Sequence, residues 1–261
     1  MTSKSVNFDC AAGFYDDTRG FPPGENVRIA QLIADTAKLQ TGSRALEIGV
    51  GTGRIALPLS QHVQAMHGID ISQLMLQRLL EKRGDEPVYP VKGDATHLPY
   101  ASNSFDAVIA VHVFHLIPDL DATLAELARV LRPAGVLLRC WNRGNSPLDN
   151  LYEIWNKIVP RDTYRNYDRA NNHLNAGGWR QDGGEHTYSF TIQITPQTWL
   201  DNLRQRVWSS TWRLSDEAME RGIAVLESTI HERFESLTMP VTVEEIFTVV
   251  VYAPPEMTND G

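Results

Sequence analysis

The sequence predicts an α/β protein: a seven-stranded, mostly parallel sheet with helices on both faces, plus an inserted, mainly helical region. Three observations predict it. From about residue 25 to 140, helical periodicity alternates with short apolar runs, as repeated β-α units require. The first of those runs opens into Gly49-Val50-Gly51-Thr52-Gly53, a strand-to-helix junction rather than a hairpin. From residue 141 onward the texture changes, and all six tryptophans (141, 155, 179, 199, 208 and 212) lie in this later part.

The elements follow in chain order. Residues 25–39 place Val27, Ala30, Ile33, Ala34 and Ala37 on one helical face. Strands are expected at 45–48, 67–71, 88–92 and 107–111. A helix at 121–131 buries Leu124, Leu127 and Leu131 and is stopped by Arg132-Pro133-Ala134-Gly135, since proline cannot continue it and glycine permits the turn. A fifth strand runs over 136–140. The glycines at 177, 178, 183 and 184 mark 171–185 as a loop. A strand at 187–195, helices near 196–204 and 216–236, and a last strand near 246–252 complete the pattern. The expected division is an entry segment (1–24), a ligand-binding core (25–141), a variable region (142–213) and a carboxy-terminal helix and strand (214–261).

Composition narrows the function. With 42% hydrophobic and 21% charged residues the chain has the make-up of a globular protein. Its 24 Lys and Arg against 32 Asp and Glu, a net charge of −8, oppose approach to a phosphate backbone, so a nucleic-acid partner is not expected. Cys10 and Cys140 are too few for a disulfide scaffold and suit a reducing cytoplasm. No signal-like stretch opens the sequence, and no apolar run approaches the roughly 20 residues of a membrane span. No His, Cys, Asp or Glu group has compact metal-ligand spacing, so no metal is expected.

The glycine turn carries the chemistry. A strand running into Gly-x-Gly-x-Gly and a helix leaves N–H groups and a positive helix end facing a ligand. The dinucleotide fingerprint needs a third glycine where Arg54 stands, and Glu47 would lie near a pyrophosphate and repel it. S-adenosylmethionine suits both features: its sulfonium and ammonium groups favour an acid, and its carboxylate favours the turn's N–H groups. Asp70, ending the second strand, can accept from both hydroxyls of a ribose, which a dinucleotide would use equally. Ile71 and Met75 can wall an adenine, though Met75 suits core packing as well.

Four stretches in order now carry a resemblance. They are Leu46-Glu47-Ile48-Gly49-Val50-Gly51-Thr52-Gly53, then Gly68-Ile69-Asp70-Ile71-Ser72, then Gly93-Asp94-Ala95-Thr96-His97-Leu98-Pro99-Tyr100 continuing to Ser104-Phe105-Asp106, and Glu126 through Gly135. Residues 43–139 resemble the Rossmann-like cofactor domain of class I S-adenosylmethionine-dependent methyltransferases, in the type 11, ubiquinone/menaquinone-biosynthesis-like group. The resemblance implies that Glu47, Gly49, Gly51 and Gly53 line the methionine part and that Asp70 holds the ribose. It implies further that Asp94 accepts from the adenine amino group, that the Ala95 N–H reaches a ring nitrogen, and that the Val111 carbonyl receives the ligand ammonium. Ala11 through Arg19 resembles the family's entry segment, in which Tyr15 and Arg19 close over the cofactor; a surface packing pair is the alternative. Glu47 has an alternative too, orienting the loop without touching ligand.

His115, after the fourth strand, is the candidate general base, with His112 a weaker one. Arginines at 143, 161, 165, 169 and 180, set among aromatic residues and diluted by acids, suit a solvated face or an anionic small-molecule pocket. Trp141, Tyr152, Trp155, Tyr164, Tyr167, Trp179 and Tyr188 either line an apolar acceptor pocket or fill that region's own core. The expected activity is methyl transfer to a small molecule. A non-catalytic S-adenosylmethionine-binding scaffold and an NAD-dependent oxidoreductase are the rivals.

Overall fold

The computed structural model describes residues 5–159 and 167–256. In chain order its elements begin with α1 (Tyr15–Arg19), α2 (Glu25–Thr36), β1 (Arg44–Ile48), α3 (Ala56–Leu59), β2 (Ala65–Asp70) and α4 (Gln73–Lys82). There follow β3 (Val88–Lys92), β4 (Phe105–Val111), α5 (Leu120–Val130) and β5 (Leu131–Asn145). The later elements are α6 (Asp149–Ile158), α7 (Tyr167–Ala176), β6 (Arg180–Ile194), α8 (Pro196–Arg204), α9 (Asp216–Arg233) and β7 (Val241–Ala253).

The strands form a seven-stranded sheet in the order β3-β2-β1-β4-β5-β7-β6, and β3/β2, β2/β1, β1/β4 and β4/β5 are parallel pairs. The expected mostly parallel α/β sheet is what forms. Parallel strands are covered on both faces, so β4 is buried almost throughout and reads as a continuous apolar run. The helices start where side chains cap them: Ser72 accepts from Met75 N–H at 3.1 Å, Asp119 from Ala122 N–H at 3.0 Å, and Thr195 from Thr198 N–H at 2.9 Å ahead of Pro196.

The chain divides into two compact units. One comprises Met1–Trp141, Tyr164–Tyr188 and Phe247–Gly261; the other comprises Asn142–Thr163 and Ser189–Ile246. Leu46, Ile48, Ile69, Val108, Leu124, Leu127 and Val250 belong to the first unit's core. The second unit has its own, built from Leu151, Trp155, Trp199, Leu203, Leu226 and Ile230, with Gly222 admitting the Trp155 ring.

Three expectations change. The loop at 171–185 is instead the end of α7 and the start of β6. Gly177 and Gly178 stop the helix, Gly178 at φ +74° with the Trp179 N–H returning to the Leu174 carbonyl, while Gly183 and Gly184 lie within the exposed first half of β6. β5 starts at Leu131, not after Gly135. A register irregularity sets Phe105 against Leu131 but Ala107 against Val136, and this takes up Pro133. Val27 is half exposed and lies off the buried face formed by Ile29, Ala30, Ile33 and Ala34.

Candidate active site

Strand order reverses between β1 and β4: from β1 the chain builds outward to β2 and β3, then returns to place β4 on the other side. Loops leaving β1 and β4 diverge at such a point and open a crevice at the carboxyl ends of the strands. The glycine turn leaves β1 there, and Val111 and His112 leave β4 beside it.

The turn is held by backbone and by one carboxylate. The N–H groups of Gly49 and Val50 donate to the Ile69 carbonyl at 2.8 and 3.1 Å, and that of Gly51 donates to Asp70 Oδ2 at 2.9 Å. Gly51 and Gly53 both have positive φ, +54° and +78°, but for different reasons. A Cβ on Gly53 would meet Leu79 Cγ at 2.8 Å, whereas one on Gly51 would meet only the Gly49 carbonyl oxygen at 4.0 Å. The space at Gly51 is open, as close approach of a ligand requires.

Asp70 spans the end of β2. Its Oδ1 accepts from Ser72 N–H at 2.8 Å, and Ser72, not Asp70, caps α4. Burial pushes the Asp70 carboxyl above its usual range against the pull of the Ser72 and Gly51 N–H groups. The Ile71 N–H also lies against this carboxyl, and the lone-pair position it keeps open is what a ligand hydroxyl would use. After β3, Asp94 Oδ1 accepts from both N–H and hydroxyl of Thr96 at 2.9 Å, which leaves Oδ2 uncommitted to them. The Ala95 N–H has no acceptor among the described residues. Ile71 is half-buried, while Met75 is 2% exposed, a core residue beneath the first turn of α4.

Glu47 is the unusual group. It is 3% exposed, its Oε2 has no hydrogen-bond partner, and the Ala56 N–H donates to the carboxylate. Burial pushes its pKa up to about 8, Arg54 drawing it down and Asp70 adding to the rise. Cys140, which pairs with Val111 in the sheet register, is also raised, by burial and then by Glu47.

The entry segment lies across these groups. Thr52 Oγ1 donates to Asp16 Oδ1 at 2.5 Å, Lys82 Nζ reaches Asp16 Oδ2 at 2.8 Å, and Ser72 Oγ donates to Asp9 Oδ1 at 2.5 Å. Arg54 donates to the Arg19 carbonyl and lies 4.6 Å from the Phe21 ring centre and 5.9 Å from that of Tyr15. Tyr15 and Arg19 are thus brought to the turn, both in α1. The residues that tie them there, Asp9, Asp16, Thr52 and Arg54, carry no sequence signal beyond a polar side chain in or facing a glycine turn.

On the opposite side, His115 sits in a single helical turn at Phe114–Leu116, and His112 holds φ +50° with its N–H donating to the Cys140 carbonyl at 3.0 Å. A non-glycine residue in the left-handed region is uncommon and directs the chain sharply out of β4. The Val113 side chain packs where a Gly49 Cβ would stand. Arg169 donates to the carbonyls of Ile117 and Pro118 at 3.0 and 2.5 Å, so this arginine braces the loop. Arg161, Arg165 and Tyr164 lie outside the described residues, as does the Tyr167 side chain. Trp155 and Trp179 are buried in the cores of their own units, and Tyr188 bonds Glu25 and Arg28; these three serve structure. Among the described residues no group of three or more His, Cys, Asp or Glu is placed to hold a metal, and no helix is long and apolar enough to cross a membrane.

The sheet reversal at β1 and β4 brings together the glycine turn and the acids at or just beyond the ends of three neighbouring strands, in a Rossmann-like α/β fold. Residues 46–139 match the family model of the type 11 methyltransferase domain. A phosphatidylethanolamine N-methyltransferase of Cereibacter sphaeroides is 39% identical over 113 residues, 41% of this chain and 55% of that protein. The chain spans about half the length of the curated relatives it matches. Among solved structures, YcgJ of Bacillus subtilis is similar with a TM-score of 0.56 at 20% identity, over 88% of this chain and 99% of that one. A Haemonchus contortus phosphoethanolamine N-methyltransferase, in complex with phosphomonomethylethanolamine and S-adenosylhomocysteine, gives 0.53 at 21% identity, over 95% and 58%. These two structural likenesses concern the fold.

Proposed function

We propose that the chain is an S-adenosylmethionine-dependent methyltransferase acting on a small-molecule acceptor in the cytoplasm. The observation that carries this reading is the pairing of Glu47, a buried acid with an orphaned oxygen, with the open space at Gly51. A buried acceptor without a partner is costly, and a cationic hydrogen-bond donor beside a glycine turn is the ligand that relieves it. A pyrophosphate brings acceptor oxygens and no donor hydrogen, so it would not satisfy the ionised carboxylate.

In this reading Gly49, Gly51, Gly53 and Glu47 hold the methionine part, with Tyr15 and Arg19 closing over it and the Val111 carbonyl taking part of the ammonium. Asp70 holds the ribose, and Asp94 Oδ2 and the Ala95 N–H hold the adenine edge beside Ile71. Met75 supports that wall from beneath. The cofactor supplies a methyl group on sulfur whose leaving group is already activated. The protein's task is then to exclude water and align the acceptor in line with the methyl–sulfur bond. His115 removes a proton where the acceptor is a hydroxyl or a protonated amine. Choice of acceptor falls to residues 142–213 together with the entry segment.

Incubation with methyl-labelled S-adenosylmethionine and host metabolite extract tests the activity, the expected product being a labelled small molecule. Binding of NAD but not S-adenosylmethionine in calorimetry would overturn the assignment; tight cofactor binding with no label transferred to anything would leave a scaffold.

A further inference from the structure

Among the described residues Glu47 is the only buried acidic side chain. The groups that face it come from four directions. The Ala56 N–H at the start of α3 donates to it, Asp70 approaches from β2 as a like charge, and Cys140 lies on β5. Arg54 follows the turn as an opposite charge, but its guanidinium is engaged with the Arg19 carbonyl and the Phe21 ring, and it acts on Glu47 only through space. Among the described residues no group hydrogen-bonds Oε2.

We propose that Glu47 couples cofactor binding to proton release: it carries a proton on Oε2 in the empty protein and gives it to solvent when the α-ammonium of the cofactor's methionine part seats there. This rests on the cofactor reading above. One O–H bond breaks, the proton passes to buffer, and a charge-assisted N–H···O⁻ bond forms, so that a buried neutral acid is exchanged for a buried, hydrogen-bonded ion pair. The ammonium, not the sulfonium, is the partner, because an orphaned acceptor requires a donor hydrogen and a trialkylsulfonium has no N–H or O–H. Val111, expected to offer its carbonyl to the same ammonium, stands opposite Cys140 in the register, and Cys140 is the thiol that responds to Glu47. The proton-bearing state of the empty site agrees with a Glu47 pKa near 8.

Because S-adenosylhomocysteine has the same ammonium and no sulfonium charge, both ligands release the proton. Calorimetry of each ligand at pH 6.5 to 7, in buffers of different ionisation enthalpy, is expected to give close to one proton released per site. Affinity is expected to strengthen about tenfold from pH 6 to pH 7. Glu47→Gln keeps an acceptor for the Ala56 N–H and should abolish both effects. The wild-type buffer series stands by itself if that variant fails to fold. Binding of both ligands with no buffer dependence overturns the coupling and leaves the cofactor reading intact. Release with S-adenosylmethionine alone overturns the ammonium as partner, and absence of binding by either ligand sinks the cofactor reading and the coupling together.

Discussion

Asp70→Asn separates holding the turn from holding the ligand. In the wild type Oδ2 accepts from Gly51 N–H at 2.9 Å and Oδ1 from Ser72 N–H at 2.8 Å. Asparagine has one carbonyl oxygen, so one of the two N–H groups loses its acceptor and faces an amide NH₂ instead. Losing a hydrogen bond to a charged group costs about 1.5–3 kcal/mol, but burial already opposes this carboxylate, and a neutral amide removes that penalty. The two effects largely offset, leaving a net loss of about 1 kcal/mol, a few degrees in Tm for a protein of this size. Ligand binding has no such offset. A hydroxyl that would donate to a carboxylate meets a neutral amide instead, which should cost about 1–3 kcal/mol, or roughly 5- to 150-fold in Kd. Thermal melts of the empty protein beside calorimetry with S-adenosylhomocysteine measure both quantities. An unchanged Kd in a folded variant would refute the ribose assignment, and a Tm loss well above ten degrees would show that Asp70 serves the turn first.

The glycine pair should separate in the same two measurements. Gly53→Ala meets Leu79 at 2.8 Å in a left-handed backbone and should cost about 2–4 kcal/mol of stability; Gly51→Ala, with 4.0 Å of clearance, should cost about 1 kcal/mol yet weaken the ligand more than tenfold. Equal stability losses would contradict the steric distinction. Asp16→Ala removes the acceptor for Thr52 and the partner of Lys82, so limited proteolysis should cut the entry segment faster, and bound ligand should protect it less than in the wild type. In the empty protein the folded-state pKa of Glu47 lies near 8, above the ordinary 4.5, so the native state binds more protons than the unfolded state between those values. Stability therefore falls as pH rises through that window, by up to roughly 5 kcal/mol, and Glu47→Gln should flatten the fall; a wild-type profile flat from pH 5 to 8 would be inconsistent with a buried, unpartnered carboxyl.

The parallel core was legible because its chemistry is local. Apolar runs such as 107–111 are buried on both faces, and Ser72, Asp119 and Thr195 stand where capping needs them. Composition misled where glycine has more than one use. At 177–178 it stops a helix, and at 183–184 it sits in the first half of β6, where residues 180–187 are all exposed and leave no hydrophobic trace. The aromatic residues after position 141 were ambiguous for a related reason: a tryptophan in a core and one in a pocket have the same sequence signature, and burial alone decides between them. Trp155 and Trp199 prove to be core residues of the second unit, and the Tyr152 ring, more exposed, packs edge-on against Trp199 at 5.3 Å.

The candidate site divides along the same line. The placement of Asp70 and the glycines beside one another was legible because it depends on spacing along one β-α unit, and spacing is what a sequence records. Arg54 was not, since its importance comes from residues 33 and 35 positions away: it stacks on Phe21 and bonds the Arg19 carbonyl, fastening the entry segment to the turn. That placement also explains Glu47. With Arg54 engaged by the entry segment, its charge reaches the acid at a distance and forms no ion pair with it among the described residues, and Glu47 Oε2 keeps no hydrogen-bond partner. The non-glycine residue that breaks the dinucleotide fingerprint therefore serves two ends, closing the entry segment and keeping an acidic acceptor unsatisfied beside the glycine turn.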